Sequence, residues 1–295
     1  MPRYSIRELE QLSSVKAHTI RIWEQRYNLL QPERTDTNIR YYNDEQLKRL
    51  LNVSVLMNNG MKISNISRLN NNQLSAEIEK LINDSKNPDS RIEAVISQAI
   101  IAITTFDEAL FEKTINSFMV NDGLVNSYIN IIHPLLVRTG QLWSSNEMLP
   151  AQEHFLSNLL EKKFYSAIDA LPQPVNTDQT WILFLTEPEE HVLGLLLAYY
   201  ILRKYGKKVI YLGRRVPEEN LYTVIKDCKP THLYTFFVKN HPVEETAALL
   251  TQFTKYSRKL NIYISGRQDV IENISLNAQV SWLKKVEDLI ELVKK

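Results

Sequence analysis

One cysteine, Cys228, stands in a chain of 295 residues, which excludes an intramolecular disulfide framework and fits a reducing cytoplasm. No apolar run approaches the ~18–20 residues that span a bilayer; the longest, around Val192 to Leu202, stops well short. The opening MPRYSIRELE has no apolar core of the kind a signal peptide needs. A soluble, cytoplasmic protein with no membrane partner is expected. Neither HExxH nor CxxC occurs, so the common zinc patterns are missing, and no GxGxxG follows the first strand-like run, which argues against a dinucleotide. Net charge is nearly absent too, at +1, but it is unevenly spread. Residues 1–75 hold eleven Lys and Arg against seven Asp and Glu, a surplus of four that leaves −3 for the remainder. A basic end on a near-neutral chain points to nucleic acid there and nowhere else.

The 44% apolar and 23% charged content is that of a globular protein, and the length implies two or three domains. Residues 4–75 show short helical patterns with abrupt turns. Ser5 and Glu8 have the spacing of a capping box ahead of Leu9 and Leu12, and a second helix is predicted from about Lys16 to Tyr27. An extended piece follows, LLQPERTDTNIRYY, and then Asn43 and Asp44 open a helix with Leu47, Leu50, Leu51 and Val55 on one face. Two helices joined by a tight turn, then an extended basic piece, suit a winged helix-turn-helix. Lys16, His18, Thr19, Arg21 and Arg26 would face a DNA groove, with Arg34, Asn38 and Arg40 on the wing.

Residues 76–170 are predicted helical at about 76–84, 90–103, 106–119, 123–141 and 149–170, which amounts to a bundle. LPQPVNTDQT (171–180) reads as a linker. Beyond it, WILFL, KVIYLG, THLYTFFV, IYISG and VSWL alternate with helical stretches, the pattern of a parallel doubly wound sheet of flavodoxin-like type. The expected fold is thus multidomain α plus α/β: a winged helix-turn-helix (1–75), a helical bundle (76–172) and a Rossmann-like sheet domain (178–295). Such sheets bind ligands beyond the carboxyl ends of their strands. EPEEHVLG (187–194) lies at the carboxyl end of the first strand, so Glu189, His191 and Gly194 stand where a ligand would sit.

YSIRELEQLSSVKAHTIRIWEQRY followed by PERTDTNIRYYNDEQLKRL resembles the MerR family of transcription regulators over about residues 4–72. The resemblance implies dimers on near-palindromic double-stranded operators. It implies phosphate and wing contacts from Arg21, Arg26, Arg34 and Arg40, with Asn38 and Tyr41 in the wing and Lys16, His18 and Thr19 nearest the bases.

Glu189-x-His191-x-x-Gly194 is similar to the D-x-H-x-x-G motif of cobalamin-binding Rossmann domains, with Glu in place of Asp. The resemblance implies His191 as the lower axial ligand of cobalt. A carboxylate two residues earlier can hold the other ring N–H and raise the basicity of the imidazole, and the glycine would let backbone approach the macrocycle. Thr235, Ser265 and Gly266 match the positions that line the slot for the nucleotide tail, Ser265 standing where such domains carry a glycine. In the helical segment, Trp143 precedes Glu153 and His154 by a spacing that resembles the CarH/LitR type of light-responsive MerR regulators. That type binds adenosylcobalamin between a bundle and a Rossmann domain, the tryptophan covering the adenosyl group and the Glu-His pair contacting it. Some relatives carry a histidine directly after the tryptophan; Ser144 stands there.

The expectation is therefore a non-enzymatic, adenosylcobalamin-dependent, light-responsive DNA-binding repressor that acts as a homo-oligomer, dimer or tetramer. Two alternatives stand beside it: a MerR-type regulator of the same architecture that does not use cobalamin, and a corrinoid methyl carrier or enzyme module.

Overall fold

The computed structural model describes residues 4–144, 148–174, 176–187, 189–239, 242–255 and 260–294. The chain divides into two compact units, Met1–Leu159 and Leu160–Lys295.

The first unit opens with α1 (Ile6–Ser13), whose capping box is formed by Ser5 and Glu8. Ser14 takes a left-handed conformation (φ 58°), turning the chain sharply into α2 (Ala17–Tyr27). The Glu10 carboxylate accepts from the Ala17 amide at 3.0 Å, satisfying one free N–H at the start of α2. Only Ile20 and Trp23 of α2 are buried, so the rest of the helix is presented outward. A two-stranded antiparallel ribbon, β1 (Glu33–Arg34) and β2 (Arg40–Tyr41), forms the wing. Next comes α3 (Asp44–Asn58), capped by an Asn43–Gln46 box, with Leu47, Leu50, Leu51 and Val55 buried as its periodicity predicts.

After the short α4 (Ile63–Ile66), α5 (Asn71–Asp84) and α6 (Pro88–Thr104) follow. Every residue of α6 from Ala94 to Thr104 is buried, the behaviour of a helix surrounded on all sides. It is tied to α3 by a buried hydrogen bond from Gln98 Nε2 to Asn52 Oδ1 at 2.7 Å. The next helix, α7 (Glu108–Ser127), is interrupted at Gly123 (φ 76°, ψ 162°), and a π-helical turn over Tyr128–Ile132 leads into α8 (His133–Ser144). From α8, the Arg138 guanidinium donates to Glu93 at 2.9 Å and to the Leu12 carbonyl of α1 at 3.2 Å. The predicted break between 119 and 123 corresponds to the Gly123 interruption. The helix α9 (Pro150–Asp169) begins in this unit and continues into the second.

In the second unit, β3 (Asn176–Thr186), α10 (Val192–Lys204), β4 (Lys207–Val216), α11 (Glu218–Cys228), β5 (His232–Phe237), α12 (Val243–Thr254), β6 (Asn261–Gly266), α13 (Gln268–Ile271), β7 (Val280–Trp282) and α14 (Val286–Lys294) follow one another. The sheet order is β4-β3-β5-β6-β7 with every pair parallel, the doubly wound topology expected from the alternation of strands and helices. One face buries Ile182, Phe184, Leu233, Phe237, Ile262 and Ile264 against Leu221 and Ile225 of α11 and Leu250 and Phe253 of α12. Strand alternation puts Trp181, His232 and Tyr263 on the other face. There Trp181 stacks on His232 with ring centres 4.2 Å apart and on Tyr263 at 5.4 Å. Burial, and then the neighbouring Lys207 ammonium, pull the His232 imidazole down to about 4, so it is neutral near pH 7.

The stretch read as a linker differs from expectation. Its second half, from Asn176, is already strand β3, pairing with Lys207 of β4. Polar residues can serve there because the ladder is made by backbone groups, and the Thr180 amide donates to Thr231 Oγ1 at 3.0 Å. The helix expected over 243–260 ends at Thr254, and residues 256–259 lie outside those described.

Candidate functional site

In this sheet order the winding reverses between β3 and β5, and the carboxyl ends of those two strands flank the crevice where such folds bind ligands. Glu189 lies in the turn after β3 and is wholly buried. Its Oε1 accepts from the amides of Glu190 (3.0 Å) and His191 (3.1 Å) and pairs with His191 Nδ1. Its Oε2 accepts from the amides of Val238 (2.7 Å) and Lys239 (2.9 Å), just past β5. Burial works to raise the carboxyl pKa. The hydrogen bonds from the His191 ring and from the Lys239, Val238 and His191 amides outweigh it and hold the group far below the usual carboxylate range. Glu189 is therefore a charged staple across the switch point. It also fixes the tautomer of His191: with Nδ1 held by the carboxylate, Nε2 is left as the outward nitrogen of a side chain 51% exposed. The adjacent Glu190 pairs with Arg215 at the end of β4, so the His191 turn is pinned from two strands.

The clamp amides of Val238 and Lys239 and the Arg215 pair escaped the sequence reading. Main-chain donors leave no mark in a sequence, though the GRRV that ends β4 is a visible basic signal.

Among the described residues no group of three or more His, Cys, Asp or Glu side chains converges as metal ligands. One imidazole with a carboxylate behind it is instead a donor set for a metal that arrives with its own equatorial ligands. The metal end of a corrinoid fits these residues.

The other predicted positions are distributed as follows. Thr235 is wholly buried with an unpartnered Oγ1, on the strand face that carries Leu233 and Phe237. Ser265 donates to the Leu283 carbonyl at 2.8 Å, so its hydroxyl is used within the sheet. Gly266 has φ 138°, and a Cβ there would lie 1.8 Å from the Phe237 carbonyl oxygen; its glycine is required by the approach of β6 to β5. At Gly194 a Cβ would lie 2.6 Å from Phe236 Cζ. What the missing side chain admits in this structure is the ring of Phe236.

In the first unit Trp143 ends α8 and is 52% exposed, not buried as a tryptophan in a bundle usually is. Glu153 lies in the first turn of α9, accepts from Ser157 Oγ at 2.6 Å and pairs with His154 Nδ1 at 2.8 Å. Residues 145–147, and the side chain of Ser144, lie outside those described.

In the winged head, Lys16, His18, Arg21, Arg26, Arg34 and Asn38 are exposed, and Thr19, Arg40 and Tyr41 are half-buried. Arg34 donates to Asn38 Oδ1 at 2.6 Å across the wing turn, and Tyr41 donates to Glu33 at 2.7 Å. Arg40 Nε lies 3.4 Å from Glu24, which also accepts from the Tyr42 hydroxyl at 2.5 Å. Glu24, unmarked in the sequence, thus anchors the wing strand to α2.

An outward-facing helix with a braced basic wing, ahead of a bundle and a doubly wound sheet with a backed histidine, defines a DNA-binding regulator with a corrinoid-type module. Comparison with known proteins agrees. Residues 4–73 match the MerR HTH family regulatory protein model and residues 95–166 the B12 binding domain model. The chain thus joins a segment similar to the MerR HTH family to a segment similar to the B12 binding domain, the arrangement of a MerR-type regulator with a cobalamin-binding domain. It is 26% identical over 266 residues to the HTH-type transcriptional repressor CarH of Myxococcus xanthus, covering 89% of this chain and 88% of that protein. It is 22% identical over 292 residues to the repressor CarA of the same organism, covering 97% and 95%. The monomethylamine corrinoid protein of Methanosarcina barkeri shares the fold at TM-score 0.52 and 14% identity, over 65% of this chain and 92% of that one. No helix among the described residues is long and apolar enough to cross a membrane.

Proposed function

We propose that this protein is an adenosylcobalamin-dependent, light-responsive transcriptional repressor, built of a DNA-binding head (1–75), a helical cap (76–172) and a Rossmann-like domain (178–295). The observation that carries the reading is the Glu189–His191 pair at the switch point: a buried charged carboxylate holding Nδ1 and leaving Nε2 outward. Bound adenosylcobalamin supplies a cobalt–carbon bond that light breaks. His191 would hold the metal through Nε2, and Glu189 keeps the imidazole in the tautomer that leaves the Nε2 lone pair available. Trp143 offers an indole face to the adenine, and Glu153 and His154 offer acceptors and donors to the ribose hydroxyls. These three side chains contact only the adenosyl form, so they favour the state in which it is present. Lys16, His18, Thr19, Arg21 and Arg26 meet the operator groove, and Arg34, Asn38, Arg40 and Tyr41 form the wing contact. Two or more heads on one oligomer give the avidity that release of the adenosyl group would remove. A methyl-carrier role has only the shared fold in its favour, and the MerR head argues for regulation.

The test is to mix the full chain with adenosylcobalamin in the dark, record its absorption spectrum, and illuminate it while following retardation of promoter DNA in a gel. A histidine-ligated spectrum and loss of the retarded band on illumination are expected. A protein that retards DNA equally with and without cofactor, in dark and in light, would remove the reading.

A further inference from the structure

One helical turn beyond His191, the backbone of α10 faces β5 across a crevice with no side chain on the helix side, because residue 194 is glycine. The ring of Phe236 fills that space: a Cβ at Gly194 would sit 2.6, 2.8 and 3.0 Å from its Cζ, Cε2 and Cε1. Phe236 is half-buried. Alternation along β5 sends Thr235, with its unpartnered hydroxyl, to the opposite face of the sheet. On the α10 side, β5 therefore offers an aromatic ring where a polar tail would need hydrogen-bonding groups.

This matters if His191 ligates cobalt, and the inference rests on that reading. When an imidazole takes the lower position of cobalamin, the displaced benzimidazole stays tethered by its phosphoribosyl arm. It must lie on the histidine's side of the corrin ring. Gly194 lies three residues beyond His191, in the first turn of α10. Packing in a protein interior leaves no slack for a second flat ring beside the first.

We propose that Phe236 is a specificity-determining plug, which keeps the nucleotide tail out of the α10–β5 crevice so that the nucleotide tail adds nothing to corrinoid recognition. Tail-less corrinoids are then as good ligands as complete cobalamin.

The experiment titrates the full chain with hydroxocobalamin and with aquocobinamide, which lacks the tail, and follows the visible spectrum. In the wild type the two dissociation constants are expected within about threefold. Phe236→Ala should tighten hydroxocobalamin by about tenfold or more while moving aquocobinamide by less than threefold. Phe236→Leu, which keeps an apolar side chain on the strand, should give a smaller shift of the same sign and covers the case in which the alanine variant does not fold. A wild type that binds hydroxocobalamin more than tenfold tighter than aquocobinamide, with no gain in either variant, would overturn the plug while leaving the His191 reading intact. Failure of both corrinoids to bind wild type and variants alike would overturn the His191 reading, and the plug with it.

Discussion

Glu189→Gln is the substitution that most directly probes the staple across the switch point. The wild-type carboxylate is wholly buried and receives the His191 ring and four amides, those of residues 190, 191, 238 and 239. Glutamine fits the same space but keeps only one acceptor oxygen, and its NH2 must face either the three donors that meet Oε1 or the two that meet Oε2. Two donors at least lose their partner. At roughly 1–3 kcal/mol for each buried donor left unsatisfied, the second unit should lose about 2–6 kcal/mol. With about 4 °C per kcal/mol for a unit of this size, its melting temperature at pH 7 should fall by about 8–24 °C. The pH dependence has a definite sign. The folded-state pKa of Glu189 is depressed below its ordinary value of 4.5, so its stabilisation is fully present above that value. It is lost as pH falls toward the folded pKa, and the gap between wild type and variant should narrow by about 1.4 kcal/mol per unit below ~4.5. His232 also destabilises the fold on acidification, because its pKa of about 4 lies below the ordinary 6.5 and its contribution is lost between those values. That loss is common to both proteins, so the difference between them is the quantity to read. Thermal unfolding by circular dichroism across pH 3–7, with amide exchange followed at residues 236–239, makes the measurement. A variant melting within a degree or two of wild type at pH 7, with unchanged exchange at Val238 and Lys239, would refute the staple.

His191→Ala should abolish the histidine-ligated cobalamin spectrum and leave any bound cofactor with its own base or water on cobalt; an unchanged spectrum would remove the ligand assignment. Arg34→Ala should weaken operator binding and lower the slope of log affinity against log salt by about one unit. An unchanged slope would make its role structural, through Asn38. Trp143→Ala, at an exposed position, should leave thermal stability within about 0.5 kcal/mol and reduce the preference for adenosylcobalamin over hydroxocobalamin. A fully preserved preference in a binding titration would place adenosyl recognition elsewhere.

Much of this molecule was legible in its sequence because its signals are side-chain signals. The Ser5–Glu8 box, the helix start at Asn43, the outward α2 and the order of strands and helices in the second unit all follow from residue type and spacing. Glu189 and His191 were legible as a pair for the same reason. Where the work is done by backbone, the sequence is silent. The strand content of Asn176–Thr180 and the Val238 and Lys239 amides rest on main-chain groups that every residue carries. Phe236 was missed for a different reason. HLYTFF is apolar or aromatic on both faces, as central parallel strands are, so alternation alone does not tell which side chains turn toward α10.

The ties running back from the bundle helices set limits on how such a regulator can be cut and recombined. Asn52 of α3 has its buried partner, Gln98, forty-six residues further on, and the Leu12 carbonyl, two residues before the helix-turn-helix turn, is held by Arg138. A head severed near residue 75 would take Asn52 with it and leave Gln98 behind, opening to water a face of α3 that is apolar apart from that amide. Grafted onto another effector, the same head would need a helix offering an amide at the right height and a cation beneath α1. Chimaeras that join the chain within the bundle, after Arg138, should fold where chimaeras joined near residue 75 do not.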